Sequence, residues 1–234
     1  MLVLTPPKES ELPYIDGEAI VIDKPAGLAV DRPKRGGPCL EDWLNELKFG
    51  FKRLPRPVHR LDQDTSGCLL LSRNPKALKR FAKAFENRQV TKRYIGILDG
   101  VVQDDHGMIE LPLGKYSTAE TGWKMIVDDA GKPARTGWRK IAQQDEMTLI
   151  EFMPETGRTH QIRAHSLYGL GHGLIGDPVY MGVDGTPQKE MKPLMLHSHY
   201  IRIDRDNKPP IEAYAQVPAR FRNMGFSTDD LDIG

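Results

Sequence analysis

Cysteine is scarce: only Cys39 and Cys68 occur in 234 residues. One disulfide is arithmetically possible, but two lone thiols in a reducing cytosol is the reading that compartment chemistry favours. Long apolar runs are missing as well; none approaches the ~18 residues of a membrane span. The stretch from Met1 to Glu18 lacks the basic and apolar regions of a secretory signal. The expectation is a cytoplasmic protein with no membrane association. Aromatic residues are 7% of the chain, few for a sugar-binding cleft, and the net charge is only +1. With no repeat, low-complexity tract or linker-like shift in composition, the chain reads as one domain, residues 1–234.

The charge that is present is unevenly placed. Residues 50–95 hold twelve Lys or Arg and three acids, a net +9, which leaves −8 for the rest. A phosphate backbone would select such a segment. A solvated basic helix face is the competing reading.

Residues 19–23 have strand character and end in Lys24-Pro25-Ala26-Gly27. Helical spacing at Leu40, Trp43, Leu44 and Leu47 predicts a helix over 40–48. The prolines of the following stretch stop any helix. Residues 59–67 read as a polar loop, and Gly67 to Arg73 as a buried strand. Asn74-Pro75 is an N-cap followed by proline at the first helical position. The helix it opens has an apolar face of Ala77, Leu78, Phe81, Ala82 and Phe85, with Lys76, Lys79, Arg80 and Lys83 mostly off it. Further strands are expected at 90–98, 135–142, 147–153, 195–203 and 210–216. Thr159 can cap a helix running to about Tyr168. A loop is expected over 182–193 and a flexible tail over 227–234. Strands outnumber helices without strict alternation, which implies an α+β fold with a mixed, mostly antiparallel sheet and flanking helices.

Two tempting motifs fail. Residues 171–176 match G-x-G-x-x-G, but follow a helix where dinucleotide binding needs a strand. Among seven histidines, His160 and His165 are five apart and fall on different helix faces. His197 and His199 share a strand face, but no cysteine pair or carboxylate cluster completes a site, so no metal is expected.

The segment from Pro57 to Gly67 is different. Asp62 is a carboxylate in a tight polar loop with Arg60 two residues away, and a nearby arginine keeps an aspartate ionised and fit to act as base or nucleophile. Thr65 and Ser66 can hold such a loop through local side-chain-to-backbone bonds. An ordinary turn with a surface ion pair would carry the same residues.

The wording His59-Arg60-Leu61-Asp62-Gln63-Asp64-Thr65-Ser66-Gly67 resembles the signature of the RluA-type pseudouridine synthases, His-Arg-Leu-Asp-x-x-Thr-Ser-Gly. The other landmarks come in family order: Asp23 to Gly27, Lys92-Arg93-Tyr94, Thr156 to Arg163, and Leu194-Met195-Leu196-His197. The resemblance covers about residues 19–217. It implies the pseudouridine synthase catalytic-domain fold, with RNA across a basic cleft. It also implies that Asp62 is catalytic, that Arg60 lies in the loop accompanying extrusion of the target base, that Tyr94 stacks on that base, that Arg163 pairs with and orients the aspartate, and that Leu196 lines the pocket; His59 belongs to the same substrate-binding signature. Gly173 stands where the family usually has proline, which loosens that turn. A small N-terminal RNA-binding domain carried by many relatives is not expected here.

Isomerising a uridine breaks its N-glycosidic bond, rotates the base and rejoins it through carbon. Nothing is oxidised and no group leaves, so no cofactor is required. A base within structured RNA must first be extruded. The implied partner is a ribosomal or transfer RNA stem-loop, or both, gripped by Lys52, Arg53, Arg56, Lys79, Arg80 and Lys83, with no obligate protein partner and a monomeric enzyme. Asp62 either adds to the ribose or removes its 2′ proton. Two other classes compete: a glycoside hydrolase or nucleosidase using Asp62 and Asp64 as paired carboxylates, and a non-catalytic RNA-binding protein, which leaves Asp62 without a purpose.

Overall fold

The computed structural model describes residues 4–34, 36–118, 122–180 and 193–226. In chain order these form β1 (Tyr14–Ile15), β2 (Ala19–Lys24), β3 (Arg56–Pro57), β4 (Ser66–Ser72), α1 (Pro75–Glu86), β5 (Val90–Asp99), β6 (His106–Ile109), β7 (Leu113–Thr118), β8 (Gly122–Val127), β9 (Thr136–Gln144), β10 (Met147–Pro154), α2 (Gln161–Leu170), β11 (Leu196–Arg205), β12 (Lys208–Tyr214) and α3 (Ala219–Arg222). They gather into two compact units: residues 1–92 with 197–217, and residues 93–196 with 218–234. The loop expected at 182–193, except Pro193, and the tail at 227–234 lie outside the described residues. None of the described helices is long and apolar enough to cross a membrane.

In the first unit the strand order is β1-β2-β4-β11-β12. β2 runs antiparallel to β4, from Ala19↔Ser72 to Lys24↔Gly67. β11 joins β4 in parallel through His197↔Ser66 and Ser198↔Gly67, which makes this sheet mixed. The two chains approach so closely that a Cβ on Gly67, whose φ is +108°, would lie 2.1 Å from the Ser198 carbonyl oxygen; only glycine fits there. α1 starts where the sequence predicts, with the Asn74 side chain accepting the Ala77 N–H at 2.9 Å. Ala77 and Phe81 bury against Val21, Leu70, Ile201 and Ile211. Ala82, expected on that face, is exposed, and Ala84 packs instead. The helix expected at 40–48 is two 3₁₀ turns, Leu40–Trp43 and Glu46–Lys48. Phe49 in the left-handed region at φ 40° ends the second, and so short a segment gains little from α-helical propagation.

The second unit is antiparallel, in the order β5-β10-β9-β6, beside a β7–β8 hairpin paired from Leu113↔Val127 to Thr118↔Gly122. β6, β7 and β8 carry too little apolar alternation to stand out in the sequence. α2 is buried over most of its surface. Its N-cap is His160, at φ 51°, and not Thr159. Gln161, the first helical residue, instead ties the preceding segment to the helix: its Oε1 accepts the Arg158 N–H and the Thr156 hydroxyl, and its Nε2 donates to the Arg135 carbonyl. Gly171 ends the helix in the left-handed conformation, and the Gly173 carbonyl accepts the Asp99 N–H at 3.0 Å.

Candidate active site

The first unit carries the Asp62 loop between β3 and β4. The Thr65 N–H donates to the Asp62 carbonyl at 3.2 Å, closing a turn in which Asp62 is half-buried and Asp64 exposed. A turn does not give the i, i+2 strand geometry that a pair of catalytic carboxylates would use.

Four groups hold this loop. Lys24 has no exposed surface, and its ammonium donates to the carbonyls of Pro25 (3.0 Å), Leu28 (2.8 Å) and Gln63 (3.0 Å). The Gly27 N–H also donates to the Gln63 carbonyl, and the Gln63 amide donates back to the Gly27 carbonyl. A buried ammonium is tolerable only when its donors are satisfied in this way. At the loop's exit, buried Ser66 Oγ lies 2.8 Å from buried His197 Nδ1. Ser66 thereby ties the loop to a distant strand. At the entrance, His59 Nε2 accepts the Leu70 N–H at 3.0 Å and the ring stacks on Phe85. Desolvation, with Lys92 nearby, holds the imidazole down at about 3, so it is neutral.

Arg60 directs its guanidinium to Asp31 at 2.8 Å, with both side chains mostly exposed. The sequence neighbour expected to keep Asp62 ionised thus has an ion pair with Asp31. Among the cations expected to grip RNA, Lys52, Arg53, Arg56, Lys79, Arg80 and Lys83 are exposed. Arg80, however, is paired with Glu18 at 2.7 Å, which also pairs with Arg205 and Lys208. Two further charges of the basic segment are drawn inward. Arg73 is buried and donates to the carbonyls of Asp16, Lys48 and Phe49, and desolvation pulls Lys92 down to about 8.

The second unit carries Tyr94, Arg163 and Leu196. Tyr94 sits on β5 opposite Phe152 of β10 and is 9% exposed. Leu196, the first residue of β11, is buried. Arg163 is buried on α2, where Nε and Nη2 donate to the two oxygens of Asp177 at 2.6 and 2.8 Å. Its guanidinium carbon lies 5.2 Å from the Tyr180 ring centre. Burial opposes ionisation of Asp177, but Arg163 and the N–H groups of Val179 and Tyr180 outweigh it and hold the carboxyl below the usual range. This forked pair fixes the guanidinium plane. The sequence reading did not single out Asp177; the available signal was an Asp-Pro step, the residue pair of an Asx turn.

Two histidines considered above as ligands are hydrogen-bonded within the fold. His165 bonds Thr136 Oγ1 and the Leu111 carbonyl, and His197 bonds Ser66. Among the described residues, no three His, Cys, Asp or Glu side chains group as a metal site.

Residues 18–168 match the family model described as RNA pseudouridylate synthase. An uncharacterized RNA pseudouridine synthase of Zymomonas mobilis is 49% identical over 91% of this chain and 96% of its own length. The ribosomal large subunit pseudouridine synthase D of Nitrosomonas europaea is 40% identical over 71% of this chain, which spans only 48% of that relative. Among solved structures, human RNA pseudouridylate synthase domain containing 1 superposes with a TM-score of 0.71 at 27% identity, covering 92% of this chain and 89% of its own. Human RNA pseudouridylate synthase domain containing 4 shares the fold, with a TM-score of 0.73 at 23% identity, covering 91% and 93%. The motifs from Asp23 to His197 resemble the same family, and the chain belongs to it: the RNA pseudouridylate synthases, enzymes that isomerise uridine in RNA to pseudouridine.

Proposed function

We propose that Asp62 is the catalytic residue and that the target is a uridine in a ribosomal or transfer RNA stem-loop, extruded from its stack before reaction. The observation that carries this reading is the clamped loop: a half-buried carboxylate whose backbone is fixed from Lys24, Gly27 and the Ser66–His197 pair. A preorganised carboxylate can attack the ribose or take its 2′ proton without first reorganising. In this reading Tyr94 is the stacking platform, Leu196 lines the pocket and Arg163, itself oriented by Asp177, steers the aspartate. Arg60 and His59 belong to the base-extruding loop. Lys52, Arg53, Arg56, Lys79, Arg80 and Lys83 meet phosphates. Both units act together as one catalytic domain, in a cytoplasmic monomer. The ribosomal target is supported by relatives named for the large ribosomal subunit.

Asp62→Asn tests the reading. The amide keeps size and polarity but is neither base nor nucleophile. Pseudouridine formation should vanish while RNA binding stays within a few fold, and Asp64→Asn should keep most activity. Substantial turnover by purified Asp62→Asn enzyme removes Asp62 from the chemistry. Equal loss in both variants favours paired carboxylates.

A further inference from the structure

The β7–β8 hairpin has no part in the chemistry above, yet it is built with care. Its inner end is anchored: Leu113 is buried with Ala164, Leu167 and Tyr180, and Met125 and Val127 pack on them. Its outer end presents Trp123, which is 44% exposed. The indole nonetheless has a fixed backing, because it stacks on His160 with ring centres 4.7 Å apart and planes 26° apart. His160 is held in turn. Its backbone sits at φ 51°, a conformation that non-glycine residues rarely adopt and keep only when their surroundings impose it. Its Nδ1 lies 3.1 Å from the hydroxyl of buried Tyr180, which accepts the Met125 N–H of β8 at 2.8 Å. The register Ser117↔Trp123 and Lys115↔Met125 puts Lys115 on the same face as Trp123, with its ammonium 5.4 Å from the indole centre. The paired strands contain two lysines, Lys115 and Lys124, and no acid.

A large exposed ring backed from behind, with a mobile-stemmed cation over it, is an arrangement that can receive a nucleobase and its phosphate. We propose that Trp123 is an RNA-stacking platform, distinct from the one proposed at Tyr94, on which an unpaired base of the substrate RNA lies while Lys115 meets the adjoining phosphate. The proposal rests on the RNA-modifying reading of the chain and extends it to a contact that helps position the RNA. His160, from the Thr156 to Arg163 motif, is a positioning residue for the indole.

Trp43 and Trp138 are each only 5% exposed, so Trp123 is the accessible fluorophore of the three tryptophans. The whole protein is titrated with single-stranded octauridylate, and separately with heparin, a polyanion without bases. Octauridylate should quench the tryptophan emission and heparin should not. In Trp123→Phe the quenching should disappear while affinity stays within a few fold, since a ring remains. In Trp123→Ala affinity should fall on the order of ten- to a hundredfold, the worth of one base–aromatic stack. Octauridylate that leaves the emission of Trp123 unchanged, or a Trp123→Ala protein that binds it as wild type does, overturns the proposal. Should Trp123→Ala fail to fold, the comparison of wild type with Trp123→Phe still decides. Pseudouridine formation by wild type on bulk ribosomal RNA is measured alongside. If quenching occurs without any pseudouridine on unmodified ribosomal RNA and none on unmodified transfer RNA, the underlying enzyme reading fails and the stacking contact stands.

Discussion

The ammonium of Lys24 donates to the carbonyl of Gln63, the residue that follows Asp62. The link spans 39 positions of sequence and ties the end of β2 to the loop that bears the carboxylate. Lys24→Met removes the donor from three carbonyls at once, and Lys24→Arg cannot replace a compact ammonium with a planar fork. The methionine variant should lose about 3 kcal/mol or more in urea denaturation, since charged hydrogen bonds to buried groups are the costly ones to break. Its turnover at a temperature where it is folded should fall as well. A wild-type unfolding midpoint would show the clamp to be idle.

Acid should weaken the fold before its carboxylates titrate. His59 sits at about 3 in the folded chain, against an ordinary 6.5. Below pH 6.5 the unfolded state takes up a proton that the folded state refuses, so this contribution is complete above pH 6.5 and is lost as pH falls towards 3. At pH 5 the loss is about 2 kcal/mol. Burial lowers His165 in the same direction, so His59→Gln should reduce the slope between pH 7.5 and 5 without abolishing it. Urea midpoints at the two pH values measure this. An identical slope in the variant means that His59 titrates normally.

RNA affinity should fall steeply with salt, with a log–log slope of about −0.7 for each phosphate contact on a single strand. Replacing Lys79, Arg80 and Lys83 by Gln should flatten that slope and weaken binding to every RNA, without changing which uridine is chosen, because phosphate contacts position without reading bases. The ion pair of Arg80 with Glu18 makes it the weakest contributor. Single replacement of Arg80 should therefore change the slope less than replacement of Lys79 or Lys83. Filter binding over a salt series checks both statements, and parallel slopes for wild type and triple variant would place the grip elsewhere.

Tyr94 is packed on its sheet as well as being the proposed platform. Tyr94→Phe keeps the ring and should fold and bind RNA as wild type does. Tyr94→Ala should cost about 3–5 kcal/mol of stability, as removal of a buried aromatic does. Measured below its lowered melting temperature, it should lose far more turnover than affinity, since one stack is worth only ~1–3 kcal/mol. Single-turnover rates at saturating enzyme separate the two effects. An active Tyr94→Ala enzyme would dismiss the platform.

The elements that could be read from the sequence are those with a local cause. Asn74-Pro75 fixes the start of α1 through its own side chain and ring, and the apolar runs of β4, β5, β10 and β11 announce themselves. What could not be read depends on distant partners. Ser66 finds His197 from 131 residues away, Arg80 finds Glu18 from 62, and Arg163 forks onto Asp177 in a loop with no apolar pattern. The hairpin strands β7 and β8 are half solvated, so their alternation is weak, and their order comes from Tyr180 beneath them. The Asp62 motif was legible as wording; the clamp around it was not, because Lys24 looks like any surface lysine until its three carbonyls are seen.

The chain's route through its two units also sets an order of manufacture. The strand that brings His197 to Ser66 is translated only after all of residues 93–196. Until then the first unit lacks β11 and β12, and the Asp62 loop lacks one of its anchors. Contacts closed over so long a span form late and slowly. A chain still on the ribosome, or one broken off before residue 197, therefore carries the His59–Gly67 wording without the His197 partner of Ser66 and should form no pseudouridine.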